Sequence, residues 1–71
     1  MNVIFHKECN NEGTVIDKTA EIVVNADRVH FYRGFFDLIN GDQIETLQFS
    51  FTNGAVEYRG RYWADISIAN D

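Results

Sequence analysis

Leu47-Gln48-Phe49-Ser50-Phe51-Thr52-Asn53-Gly54-Ala55-Val56-Glu57-Tyr58-Arg59-Gly60 decides the fold class. Asn-Gly suits a two-residue type I′ turn, because both central residues of that turn need positive φ. Folding the chain at Asn53-Gly54 sets Phe51 opposite Val56, Phe49 opposite Tyr58 and Leu47 opposite Gly60 on one face. Ser50 then faces Glu57, and Gln48 faces Arg59, on the other. One face is apolar and one polar, as a half-buried antiparallel pair requires.

Downstream, Val56, Tyr58, Gly60, Tyr62, Ala64, Ile66 and Ile68 keep one parity, which sends Arg59, Arg61 and Trp63 to the outer side. Straight, that strand would run about 46 Å, against a diameter of about 29 Å for a compact chain of this length. A bend at Gly60 is therefore expected. The alternative, a tight turn near Gly60-Arg61, would pair Val56 with Asp65 and spoil the apolar face.

Upstream, Ala20, Ile22 and Val24 alternate with Thr19, Glu21, Val23 and Asn25, and a turn at Ala26-Asp27 sets Val24 against Val29 and Ile22 against Phe31. The phase changes at Arg33-Gly34, which a β-bulge at Gly34 accommodates. Asn40-Gly41 is the next turn signal, but its two-residue register opposes Phe36 to Glu45 and Leu38 to Gln43. Either that loop is longer, or residues 35–40 form a short helical turn. Val3-Ile4-Phe5-His6 reads as an edge strand and Lys7 to Gly13 as a polar loop. Proline is absent and no window holds a helical apolar period. The expected architecture is all-β: a five-stranded antiparallel meander over about 2–6, 14–25, 28–39, 42–52 and 55–69, curled into a small barrel or strongly coiled sheet.

The chain has 71 residues, 45% of them hydrophobic and 24% charged, which fits one folded domain over 1–71 and excludes a disordered or collagen-like chain. A domain this small gains only about 3–5 kcal/mol from its core. Cys9 is the sole cysteine, so no internal disulfide assists, and with no signal-peptide pattern a reduced, cytoplasmic setting is expected. No apolar run approaches the ~20 residues of a membrane-spanning helix. Eleven acidic against six basic residues give a net charge of −5, which disfavours nucleic acid and anionic membranes and favours a basic protein partner.

No cofactor, metal site or catalytic set is expected. His6, Cys9 and His30 are the soft ligands, and His6-x-x-Cys9 has a chelating spacing, but a zinc site needs a third or fourth ligand. Asp37, Asp42 and Glu45 read as solvated loop charges. Ser50 and Ser67, the only serines, lack a nucleophile-elbow context, and the five glycines are scattered singly, so no phosphate-cradling loop exists.

Arginines interleaved with aromatics stand out in an acidic chain: His30-Phe31-Tyr32-Arg33-Gly34-Phe35 and Tyr58-Arg59-Gly60-Arg61-Tyr62-Trp63. They also suit strands and cross-strand charge pairing in their own right. Tyr32, Arg33, Phe35, Arg59, Arg61 and Trp63 are the candidate binding residues, since Trp, Tyr and Arg are enriched at interface hot spots. The expected function is a non-enzymatic interaction module, an inhibitor or adaptor acting on a basic protein; phage-encoded blockers of host machinery are an analogy of size and charge alone. The alternatives are a homo-oligomer that binds a nucleotide-like anion between subunits, and a structural assembly subunit whose contact is an exposed sheet edge.

Overall fold

The computed structural model describes residues 1–70. Seven strands and no helix occur among them: β1 (Asn2–Cys9), β2 (Val15–Asn25), β3 (Arg28–Tyr32), β4 (Phe35–Asn40), β5 (Gln43–Gln48), β6 (Val56–Tyr58) and β7 (Arg61–Ala69). The all-β antiparallel class holds. The five strands become seven, because two glycines expected to bend continuous strands instead break them at hairpin turns.

The first break is Arg33-Gly34. Tyr32 pairs with Phe35, and Arg33 (φ 36°) and Gly34 (φ 84°) form the two-residue turn between them. Two positive φ values are what a type I′ turn requires, so Gly34 closes a hairpin and is not a bulge. The second is Arg59-Gly60, with φ of 52° and 79° and Tyr58 paired to Arg61. This turn falls one residue earlier than the alternative at Gly60-Arg61, and it pairs Val56 with Trp63 rather than with Asp65. A two-residue loop pairs even with odd positions, so the inward set Val56 and Tyr58 continues at Trp63. The outward placement of Trp63 is thereby overturned: its side chain is 0% exposed.

Two further registers shift. Asn53-Gly54 does not close a two-residue turn; Phe49 bridges Val56, and a wider loop runs between Ser50 and Ala55, whose backbones meet at 2.7 Å. Thr52 N and Asn53 N donate to Ser50 Oγ, while Ala55 N donates to Asn53 Oδ1, so side chains hold the loop open by satisfying its amides. The shift is two residues, which preserves the faces. Residues 35–40 form strand β4, not a helical turn, and the β4–β5 turn centres on Gly41-Asp42. Moving that turn by one residue sets Phe36 against Leu47, both buried.

The strands form two sheets in the orders β2-β1-β7-β6 and β3-β4-β5, joined at the Phe49–Val56 bridge. β1 lies at the centre of the larger sheet rather than at an edge. It carries Val3 and Phe5 inward and Ile4 between two neighbouring strands, a density of apolar residues that an edge cannot bury. β2 and β3 do not pair as a hairpin. Val24 lies opposite Val3, and Val29 opposite Leu38. The chain crosses between sheets at the buried Ala26, whose backbone exchanges hydrogen bonds with Met1 while Asp27 N donates to Ile39 O. The sheet is therefore not a closed barrel: β2 and β3 each keep one unpaired edge.

Val3, Phe5, Ala26, Phe36, Leu38, Leu47, Val56, Tyr58 and Trp63 from both sheets make the core. Phe5 stacks on Tyr58 at 4.6 Å and tilts against Trp63 at 6.1 Å, placing three rings of one sheet under Phe36 of the other. β1 kinks at Lys7 (φ 61°), between the pairs His6–Asp65 and Glu8–Trp63, and the inward parity of β7 changes from Trp63 to Ile66 across that point.

Candidate interaction surface

The six candidate residues divide between two hairpins at opposite ends of the molecule. Gly34 O accepts from Phe49 N, which fixes the Arg33 turn beside the 50–55 loop. Arg59 instead shares a cleft with Asn40 and Gln43, at the far end of β4. No single patch unites Tyr32, Arg33 and Phe35 with Arg59 and Arg61.

At the first hairpin the aromatics form a ridge along an edge strand and the neighbour it pairs with. His30 stacks on Tyr32 at 5.2 Å, and Tyr32 on Phe35 at 5.7 Å, along the outer face of the smaller sheet. That is where strand alternation places them. Phe31, on the opposite face, stacks on the buried Phe36 at 5.5 Å yet remains 50% exposed, because no strand covers the β3 edge. Phe51 is the most exposed large apolar residue, at 82%, and its ring lies against Gly34: a Cβ there would stand 3.2 Å from the ring. Phe51 was expected inward opposite Val56; the wider loop throws it out. A groove of about 170 Å³ lies on the opposite face from the Tyr32–Phe35 stack, lined by Phe31, Phe49, Val56, Trp63 and Ile66 among others.

The second hairpin turns its arginines onto the protein itself. Arg59 lies over the Tyr58 ring at 4.8 Å and Arg61 over the Trp63 ring at 4.7 Å. Arg61 Nη2 also donates to Glu8 Oε1 at 2.7 Å. That hydrogen bond, reinforced by the guanidinium charge, holds the Glu8 carboxyl below its ordinary 4.5 and raises Arg61 further. Trp63 is fully buried beneath this pair and cannot touch a partner.

Next to Arg59 is a cleft of about 520 Å³ floored by Val24, Leu38 and Tyr58 and rimmed by Asn25, Gln43 and Glu45. The Tyr58 hydroxyl is buried there with no hydrogen-bond partner. Burial pushes its pKa up, and the Glu45 carboxylate adds to the effect. Sequence alternation identifies Tyr58 as inward, but only the fold shows that its hydroxyl reaches no acceptor.

Cys9 and the two histidines do not assemble a metal centre. No cluster of three His, Cys, Asp or Glu side chains with ligand geometry occurs among the described residues. Cys9 is buried, and desolvation followed by the Glu8 charge raises its thiol above the ordinary value, the reverse of an activated nucleophile. His6 is engaged elsewhere. Its Nδ1 lies 3.1 Å from Glu21 Oε2 and its Nε2 2.7 Å from Ser67 Oγ, a row across β2, β1 and β7. Positions 6, 21 and 67 share no local motif, so only the strand order could have joined them.

Comparison with known protein families, with curated proteins and with solved structures returns no match to this chain.

Proposed function

We propose that the protein is a binding module, an inhibitor or adaptor rather than an enzyme, which engages a protein partner through the β3–β4 hairpin and the 50–55 loop. The observation that carries this reading is the stack of Tyr32 on Phe35 at the exposed edge of β3, with Arg33 at the turn and the exposed Phe51 ring against Gly34. The free edge of β3 offers main-chain hydrogen bonds, and flanking aromatics give a partner surface to bury. The net charge of −5 favours encounter with a partner that is basic overall. Arg59, Arg61 and Trp63 support the fold in this reading.

The test is affinity capture from native extract with wild-type, Tyr32→Ser/Phe51→Ser and Arg59→Ala proteins. A partner held by wild type and Arg59→Ala but lost by the double variant is the expected result. Retention by the double variant would remove the ridge from the function. A second reading, binding of a small anion, draws support from the cleft at Arg59 with its unpartnered Tyr58 hydroxyl. A rise in melting temperature with a nucleotide panel, lost in Arg59→Ala, would favour it.

A further inference from the structure

We propose that Ser67 is an activated acyl acceptor, a site at which activated esters form a covalent serine ester, with His6 as its general base and Glu21 as the group that orients His6. The proposal is independent of the aromatic ridge, because it rests on the outer face of the larger sheet.

Three strands build the site. His6 on β1 lies directly opposite Glu21 on β2 and Asp65 on β7, and Ile4 lies opposite Val23 and Ser67. Directly opposed residues share a face. Glu21 Oε2 stands 3.1 Å from His6 Nδ1, so that nitrogen carries the proton and donates to the carboxylate. His6 Nε2 is then the acceptor, and the Ser67 hydroxyl, 2.7 Å away, donates to it. Nucleophile to base and base to orienting carboxylate are the two contacts that serine activation requires. Asp65, on the other side of His6, is turned to a backbone amide, with its Oδ1 accepting from Ile66 N.

The neighbouring row supplies a seat for the acyl group. Ile4 lies immediately beside Ser67, and Val23 next to it is 55% exposed. The substrate class is thus an activated ester with a short apolar acyl chain. In the step, a bond forms between Ser67 Oγ and the acyl carbon and the bond from that carbon to the leaving oxygen breaks. The serine proton passes to His6 Nε2 and from there to the departing oxyanion. The face is open and ladder amides are committed between strands, so no preorganised donors surround the tetrahedral oxygen. The ester on Ser67 is therefore expected to accumulate rather than to turn over rapidly.

The test uses p-nitrophenyl acetate and p-nitrophenyl butyrate with peptide mapping of the labelled full chain. An acyl group on Ser67, forming faster in the folded chain than in the same chain in urea, is the expected result. His6→Gln should slow it by about a hundredfold, the scale of general-base assistance, and Glu21→Gln by less, with the far-ultraviolet circular dichroism spectrum unchanged. Val23→Ser should slow the butyrate more than the acetate. Label confined to Lys7, Lys18 or the amino terminus would overturn the proposal. So would equal Ser67 labelling in the folded and urea-denatured chains, a comparison that needs no variant to fold.

Discussion

The chain makes the same local move twice and uses it for opposite ends. Arg33-Gly34 and Arg59-Gly60 are both two-residue turns with an arginine and a glycine at positive φ. The first connects β3, which has one neighbour, to β4; the second connects β6 and β7, which lie between β5 and β1. Turn chemistry fixes how the strands reverse. Strand order decides whether the aromatics beside the turn are buried or left at the surface. The β6–β7 hairpin sinks Tyr58 and Trp63 into the core and lays its arginines over them, whereas the β3–β4 hairpin leaves Phe31 and Tyr32 half exposed.

The sharpest way to break that contrast is to truncate one ring at each hairpin. Trp63→Ala removes a fully buried side chain that contacts Phe5, at a cost of about 3–5 kcal/mol. A domain of this size has about that much stability in total, so the variant should be unfolded at room temperature by circular dichroism. Tyr32→Ala, at a partly exposed edge, should cost about 1 kcal/mol or less and keep a cooperative melt. A folded Trp63→Ala protein would show that the ring is not the keystone its burial implies.

Much of this was legible beforehand, and the rest was hidden for specific reasons. Alternation places Phe36, Leu47, Val56 and Tyr58 inward and Tyr32 and Phe35 outward, because side-chain direction depends only on parity within a strand. Arg-Gly was not legible as a turn, since arginine rarely takes positive φ and Asn-Gly is the usual signal. A two-residue turn at Arg59-Gly60 reverses the face of Trp63, while the parity change farther along β7 returns Ile66 to the inward side. Asn53-Gly54 misled for the converse reason: Ser50 and Asn53 side chains cap the amides of a longer loop. The central position of β1 and the His6 row depend on pairing residues 2–9 with residues 61–69, which no local pattern encodes.

The two turns also differ in what their strained arginines do. A non-glycine residue at positive φ costs about 1–2 kcal/mol, and asparagine tolerates it better. Arg33→Asn should therefore raise stability by roughly 0.5–1 kcal/mol, a few degrees in melting temperature for a domain this small. Arg59→Asn relieves the same strain but forfeits the contact with the Tyr58 ring, worth roughly 0.5–1 kcal/mol. Its melting temperature should stay close to that of wild type. Equal gains at both sites would mean that the Arg59–Tyr58 contact contributes nothing.

The smallest expected difference is set by acid. Glu8 has a folded carboxyl pKa below its ordinary 4.5 because it accepts from Arg61, and Asp17 lies below its ordinary 3.8 because it accepts from the Thr19 hydroxyl and amide. A carboxyl depressed on folding contributes stability that is fully present above its unfolded value and is lost as pH falls through the folded one. The Glu8–Arg61 contribution is thus intact at neutral pH and disappears below the ordinary carboxylate range. Arg33 makes no ion pair among the described residues. Urea titrations at neutral pH and near pH 3 should show Arg61→Gln less stable than wild type only at the higher pH, while Arg33→Gln differs from wild type equally at both. The Glu8–Arg61 pair is partly open to solvent, so added salt should shrink the Arg61 effect as well. An Arg61→Gln penalty that persists undiminished in acid would assign the role of this arginine to its packing over Trp63 rather than to its charge pairing with Glu8.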